Sequence, residues 1–190
     1  MQANANITAN AHAEERAVAT ALNGVIVRGE HNLLAESAVP GLAGARAALE
    51  TFYYAFNTRS VELYQRIWAD DPLVQVYSPV GGLVRGSAGI ATLSARMFSE
   101  APVRIQTVLD DLVAYVTPEL VVFTGRERGT YTRADTPGGE HGAPSELSEG
   151  RSICIFRFIA EQGGWRQVYH HVSPEDADQL ARFQRAVRGA

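Results

Sequence analysis

The chain has 190 residues with 46% hydrophobic content and a formal net charge of −4, which suits one domain with a sizeable core. All 17 basic residues are arginine, which excludes Schiff-base or P-loop chemistry based on lysine, and they form no basic run that would indicate a nucleic-acid partner. Cys154 is the single cysteine, so an intrachain disulfide and a cysteine metal cluster are also excluded.

The first forty residues lack the charged and apolar segments of a secretory leader, and no apolar run reaches the length of a membrane span. We therefore expect a cytoplasmic protein without a membrane partner. Residues 1–12 carry no periodicity, and the apolar spacing from Glu14 to Leu34 predicts one or two short helices. Residues 1–39 are interpreted as an N-terminal extension, partly helical or disordered, that precedes a domain of residues 40–190.

Three helices are predicted in the first half of this domain. Leu42 to Asn57 has an amphipathic stripe, and Ser60 can cap a second helix that ends at Asp70-Asp71-Pro72. Two short strands and a third helix follow, at residues 73–77, 83–85 and about 86–100.

After Pro102 the hydrophobic pattern changes to a period of two, which is typical of strands. Four long strands are predicted, at residues 103–116, 120–133, 151–160 and 165–173. A polar loop at residues 136–145 separates the second from the third, and Ser173 with Pro174 is expected to begin a final helix. Early helices and a late, strongly curved antiparallel sheet predict an α+β fold.

The last strand carries two adjacent histidines that strict alternation places on opposite faces. Trp165, Tyr169, His171 and Ser173 share one face, and Val168, His170 and Val172 share the other. Because neighbouring side chains on a strand point apart, the two histidines cannot chelate one metal, and no His-Glu-x-x-His motif accompanies them. No metal site is expected.

Three motifs within residues 42–173 carry a resemblance to a known superfamily. They are Tyr54-Ala55-Phe56-Asn57 with Trp68-Ala69-Asp70-Asp71, Pro79-Val80-Gly81-Gly82-Leu83-Val84-Arg85-Gly86, and the last strand. The last strand is similar to a Trp-x-x-Val-His-x-His-x-Ser ending, with Tyr169 in place of the first histidine. Together with the order of elements, the motifs resemble the nuclear transport factor 2-like superfamily, in its SnoaL-like and calcium/calmodulin-dependent kinase II association-domain branches. The resemblance implies a cone-shaped, cystatin-like fold.

Ketosteroid isomerase belongs to the same superfamily, but its three functional positions are not retained. Phe52 stands where the isomerase has its tyrosine donor, and Ser78 stands where it has its aspartate base. Cys154 or Ile155 replaces its protonated aspartate. We therefore expect no steroid isomerase activity.

The resemblance implies a cavity inside the cone, and the sequence offers candidates to line it. His171 is the candidate acid–base residue, because an ordinary histidine titrates near neutral pH, with Tyr169 or Tyr77 as hydrogen-bond donor. The expected activity is that of a cofactor-independent lyase, isomerase or hydrolase. The alternative is a non-catalytic oligomerisation or ligand-sensing module in which His171 only fixes the strand.

The ligand is expected to be small and largely apolar. Trp68 and Trp165 are the aromatic candidates to contact it. Arg126, or alternatively Arg128, and Arg151 are candidates for the rim, where they would favour a carboxylate. Cys154 is interpreted as an inert core residue.

The resemblance implies self-association through the outer face of the sheet, and the strand at residues 151–160 has the composition for it because it is apolar on both faces. We expect a homodimer or a larger ring. Asp110 and Asp111 lie mid-strand, and one of them is expected to pair with an arginine of a neighbouring strand.

Overall fold

Seven strands form one curled, unclosed sheet in the computed structural model, which describes residues 17–78, 82–99, 103–133 and 146–188. The strands are β1 Val18–Ala21, β2 Gln75–Ser78, β3 Gly82–Arg85, β4 Val103–Val116, β5 Leu120–Arg133, β6 Glu146–Ile159 and β7 Gly164–Pro174. The helices are α1 Leu42–Asn57, α2 Val61–Ile67, α3 Gly86–Ser99 and α4 Ala177–Arg188. The predicted α+β class is confirmed.

The sheet order is β1-β4-β5-β6-β7-β2-β3. Its neighbouring strands are antiparallel except β2 and β7, which run parallel. The predicted bounds of α1, β4 and β5 are confirmed, and Ser60 caps α2 by accepting a hydrogen bond from the Leu63 N–H at 3.4 Å. Strand β6 begins at Glu146, before the predicted start at Arg151. The predicted loop at residues 136–145 lies outside the described residues.

Within the stretch from Glu14 to Leu34, the described residues are strand, turn and extended chain, so the prediction of helices there was wrong, and only Glu36–Ala38 further along forms a short 3-10 helix. β1 pairs with the edge of β4, and Val27 forms a further bridge with Leu109. The hydrogen-bonding groups of β4 on this side would otherwise lack a strand partner, and the N-terminal segment pairs with them. Gly24 and Gly29 adopt positive φ angles, which interrupt any helix between them.

The start of the last helix also differs from the prediction. Ser173 and Pro174 remain in β7, opposite Arg151 and Gly150 of β6. Helix α4 instead begins at Ala177, where the Asp176 carboxylate accepts a hydrogen bond from the Gln179 N–H at 2.6 Å. Because Pro174 pairs with β6 and stays in the strand, the helix begins further along the chain.

The hydrophobic core lies between α1, α2 and α3 and the inner face of the sheet. Helix α1 contributes Phe52 and Tyr53, which are buried, and the inner positions of β5 contribute Val121 and Phe123. We call the opposite side of the sheet the outer face. On β6, Cys154 and Phe156 are fully buried on the inner side.

Asn57, at the end of α1, joins three segments of the chain. Its Nδ2 donates to the Arg28 carbonyl oxygen at 3.0 Å and to the Thr107 carbonyl oxygen at 2.9 Å. Its Oδ1 accepts from the Thr107 N–H at 2.9 Å. One amide thus ties the helix to β4 and to the N-terminal segment.

We expect Asn57→Ala to lower the free energy of unfolding by about 2–3 kcal/mol, because it leaves these backbone groups without their partner. Urea unfolding followed by circular dichroism measures the change. Arg46→Ala, at an exposed position of the same helix, should change it by less than about 0.5 kcal/mol. Equal effects of the two substitutions would contradict the role given to Asn57.

Candidate functional site

An irregularity in β7 determines which of the two histidines faces the interior. Ile155 of β6 pairs with Tyr169, but the next residue, Phe156, pairs with Gln167, so Val168 is an extra residue on β7. This is a β-bulge, which reverses the alternation beyond it. His170 therefore follows Gln167 onto the inner face, and both side chains are buried.

His170 belongs to a polar cluster inside the sheet. The Tyr53 hydroxyl donates a hydrogen bond to Glu127 Oε2 at 2.7 Å, and His170 Nε2 lies 3.6 Å from the same oxygen. Ser152 Oγ is 3.5 Å from both Tyr53 Oη and His170 Nε2. Cys154 Sγ borders the cluster, 3.8 Å from Ser152 Oγ and 4.0 Å from Tyr53 Oη. Helix α1 and strands β5, β6 and β7 thus place their polar side chains at one point.

The two charged members of the cluster retain limited contact with solvent. The side chains of His170 and Glu127 are 11% and 15% exposed, whereas Tyr53, Ser152 and Cys154 are buried. The Phe52 ring packs on the imidazole with a centroid distance of 4.9 Å. The solvent contact of the cluster is therefore confined largely to the carboxylate and the imidazole.

The surroundings set the protonation of Tyr53 and His170. Burial raises the pKa of Tyr53 well above its ordinary value, and the charges of Cys154 and Glu127 raise it further. Burial by itself lowers the pKa of His170, but interactions with Cys154 and Glu127 outweigh it and raise the pKa to about 10. Tyr53 is therefore a permanent donor, and His170 is an imidazolium near neutral pH.

The predicted catalytic residues His171, Tyr169 and Tyr77 lie together, but on the outer face. The rings of Tyr77 and His171 are 4.7 Å apart, and Tyr169 Oη is 3.4 Å from His171 Nδ1. Ser173 Oγ is 3.0 Å from His171 Nε2. Burial and the charge of His170 lower the pKa of His171. Their predicted placement inside the cone was wrong. The prediction assumed regular alternation along the strand, and the bulge at Val168 moves the residues after it to the opposite face.

The two predicted aromatic ligand contacts are buried on the inner side. Trp165 donates its indole N–H to the Val39 carbonyl oxygen at 3.0 Å, which ties β7 to the N-terminal segment. Trp68 packs edge-on against Phe52, with ring centroids 6.3 Å apart. Neither residue contacts the polar cluster through a described hydrogen bond.

The predicted arginine rim is absent from the inner side of the described sheet. Arg126 and Arg151 are directly paired residues that occupy outer positions of β5 and β6, alternating with the buried inner ones. Arg151 pairs with Glu175 at 2.5 Å and with Asp111 at 3.3 Å. Both arginines fall on the opposite face from the cluster, and the preference for a carboxylate ligand that was expected of them stays a prediction.

The expected pairing of the mid-strand aspartates is confirmed for both. Asp110 forms an ion pair with Arg128 of β5, and Asp111 pairs with Arg151 of β6. Asp111 has a positive φ of 53° at a second bulge, in β4. These pairs neutralise outer-face charges and take no part in the inner cluster.

Glu127 was missed as a functional residue, although the sequence contains a signal for it. Glu127 lies an even number of residues from Phe123 and Tyr131, so alternation along β5 places it on the same inward face as these two buried residues. An inward carboxylate needs partners, and here one of them is Tyr53 of α1. Among the described residues, no group of three potential metal ligands occurs.

The raised pKa of His170 predicts a pH-dependent stability. A histidine whose folded pKa lies above its unfolded value of 6.5 stabilises the fold fully below pH 6.5, and this contribution is lost as pH rises through about 10. We expect the imidazole NMR signals of His170 to titrate well above pH 7. Glu127→Gln should lower this pKa, and the exposed-site substitution Glu119→Gln should leave it unchanged. Titration of His170 below pH 6.5 would contradict the assignment.

The chain was compared with known families and solved structures. The sequence profile of the SnoaL-like domain matches residues 45–177. No curated protein is a significant match. None of the described helices is long and apolar enough to cross a membrane.

Three solved structures illustrate the likeness. A protein assigned as a nuclear transport factor 2-like dehydratase from Streptomyces avermitilis has 21% identity and a TM-score of 0.60, covering 68% of this chain and 93% of its own. A protein assigned as a calcium/calmodulin-dependent kinase II association domain from Thiobacillus denitrificans has 27% identity and a TM-score of 0.54, covering 69% and 94%. A nuclear transport factor 2-like protein from Salmonella enterica has 19% identity and a TM-score of 0.57, covering 68% and 87%. The extent of the profile match, together with this shared fold, shows that the chain belongs to the SnoaL-like domain family of the nuclear transport factor 2-like superfamily.

Proposed function

We propose that the protein binds a small, largely apolar molecule inside the curled sheet and moves a proton on it without a cofactor, as a lyase, isomerase or hydrolase. The observation that carries the proposal is the interior carboxylate of Glu127, held by Tyr53 and His170. Such a carboxylate is costly to bury, and perturbed acid–base groups concentrate at functional sites.

The geometry gives each group of the cluster a distinct role. Both described polar contacts of Glu127 involve Oε2, so Oε1 takes no part in them and is the oxygen proposed to accept a substrate proton. The His170 imidazolium is the proposed proton donor to a developing oxyanion or a leaving hydroxyl. Tyr53 keeps the carboxylate oriented and does not itself lose a proton.

The ligand is proposed to be largely apolar because of the walls around the cluster. Phe52 covers one side of the imidazole, and Phe156 and Val76 are buried nearby in the same core. The opposite charges of Glu127 and His170 give the site little net charge, and among the described residues of the cluster no counterion for a carboxylate remains.

A second candidate function is a non-catalytic oligomerisation or ligand-sensing module. It is favoured by the dense filling of the interior, where Tyr53, Ser152 and Cys154 are buried against one another. The structural likeness to a protein assigned as a kinase association domain agrees with it. In this case the cluster would fix the strands, and a ligand would change the assembly.

Self-association through the outer face is proposed for either function. Tyr77, Tyr115 and Ile153 project from β2, β4 and β6 and are 42%, 44% and 36% exposed. Apolar side chains on three strands of one sheet face are typical of an interface. A homodimer that pairs two outer faces would cover them and leave both inner clusters intact.

The acid–base proposal is tested by exchange of α-protons in small cyclic ketones, such as 2-tetralone, dissolved in D₂O and followed by proton NMR. The protein should accelerate the exchange, and Glu127→Gln should reduce the acceleration by at least about 100-fold because the base is lost. Glu119→Gln makes the same substitution at an exposed acid and should leave the acceleration unchanged. Equal acceleration by the Glu127→Gln variant, or none by the unmodified protein, would favour the module.

The dimer is tested by light scattering at micromolar concentration, where the mass should be twice that of one chain. Ile153→Glu should yield monomers, because it places a charge in the centre of the proposed interface. Leu73→Glu, at an apolar residue that is still more exposed but lies outside the strands, should retain the dimer. A single-chain mass for the unmodified protein would rule out the interface.

A further inference from the structure

A cleft of about 360 Å³ lies between α2 and α3, on the helical side of the molecule. Its apolar lining comes from Trp68, Ile90 and three alanines, and its polar lining from Gln65, Asp70 and Ser87. None of these residues belongs to the Glu127–His170 cluster. The Phe52 ring lies near both regions, with centroid distances of 6.3 Å to Trp68 and 4.9 Å to His170.

A residue that lines this cleft and the residue bridged to it each have a buried polar atom without a hydrogen-bond partner among the described residues. They are the indole Nε1 of Trp68, which is a donor, and the amide Oε1 of Gln167, which is an acceptor. The Tyr64 hydroxyl is close to the indole but does not reach hydrogen-bond geometry with it. The Gln167 amide is oriented by its Nε2, which donates to the Tyr169 carbonyl oxygen at 3.4 Å.

The backbone places the residues that carry this donor and this acceptor side by side. Trp68 and Gln167 are partners in a parallel β-bridge, reinforced by a hydrogen bond of 2.9 Å from the Ala69 N–H to the Gln167 carbonyl oxygen. Paired residues send their side chains to the same face, and both side chains are buried. Buried polar groups ordinarily have partners, so an unpaired donor beside an unpaired acceptor indicates a group that serves both.

A hydroxyl accepts one hydrogen bond and donates another, as a water molecule also does, but the apolar part of the lining favours an alcohol. The charge of the lining residues also limits which ligands the cleft can bind. Its lining includes one acid, Asp70, and no base, which disfavours an anion. Asp70 already accepts from the Ser87 hydroxyl at 2.8 Å through Oδ1.

We propose that the cleft between α2 and α3 binds a small neutral alcohol with an apolar body. The apolar body lies against Ile90 and the alanines. The hydroxyl enters beside the indole, accepts from Trp68 Nε1 and donates to Gln167 Oε1. Because Nε1 is covered in this structure, the side chains at the floor of the cleft move outward on binding. The site is additional to the one proposed inside the sheet.

The test uses ¹⁵N-labelled protein titrated with benzyl alcohol. The chain has two tryptophans, so two indole N–H signals report on the protein. The Trp68 signal should move downfield in a saturable manner as its N–H gains an acceptor. The Trp165 signal should stay in place, because its N–H is already bonded to the Val39 carbonyl oxygen at 3.0 Å.

Two variants and two further probes decide the outcome. Ala88→Phe, at an exposed residue of the lining, should abolish the shift by filling the cleft. Ala95→Phe, at an exposed residue of the same helix outside the lining, should preserve it. Benzyl methyl ether, which accepts but cannot donate, should bind about five- to tenfold more weakly, as expected for one lost hydrogen bond. Benzoate should not compete.

Each contrary result removes a part of the proposal. A Trp68 signal that does not respond to benzyl alcohol would overturn the site. A shift that survives Ala88→Phe would place binding elsewhere. Equal affinity for the ether and the alcohol would overturn the role of Gln167. The unchanged Trp165 signal confirms in each variant that the fold is intact.

Discussion

The pairing of β7 with β6 changes register at Val168, and the interior of the sheet depends on that irregularity. In a regular strand, the face that carries Trp165 and Gln167 would continue with Tyr169. With the extra residue it continues with His170, opposite Cys154 and within reach of Glu127. Two neighbouring segments meet β7 on either side of the bulge. Trp68 bridges Gln167 before it, and β2 pairs with Tyr169 after it.

In the inner cluster, hydrogen bonding and charge pairing between the side chains offset part of the free-energy cost of burying them. A buried carboxylate loses hydration, and Glu127 recovers part of the loss from the Tyr53 hydroxyl and the His170 imidazolium. Such a pair is seldom more stabilising than apolar side chains of the same volume would be. Its presence in an otherwise aromatic interior therefore favours a role in binding or chemistry over a role in stability.

The sequence predicted most of the elements because their signals are local. The stripe of α1 and the alternation of β4 and β5 lie within single segments, and Ser60 is a cap by its side chain alone. The N-terminal strand depends on a distant partner, the edge of β4, so its apolar spacing was mistaken for a helix. Valine at position 168 gives no sign of a bulge in the sequence. His171 was therefore predicted inside the cone, where the structure has His170. The cluster needed contacts between Tyr53 and Glu127 that no single segment encodes.

The family profile begins at residue 45, yet the cooperative unit of this chain begins earlier. β1 and Val27 occupy the edge of β4, and the Val39 carbonyl oxygen holds the indole of Trp165. Gly29 passes so close to the backbone of Tyr53 that an added Cβ would lie 2.5 Å from its carbonyl carbon. A chain trimmed to the profile would expose a row of unpaired backbone groups along β4, where other chains can add strands. The segment that precedes the family profile thus covers an edge of the sheet that could otherwise pair with other chains.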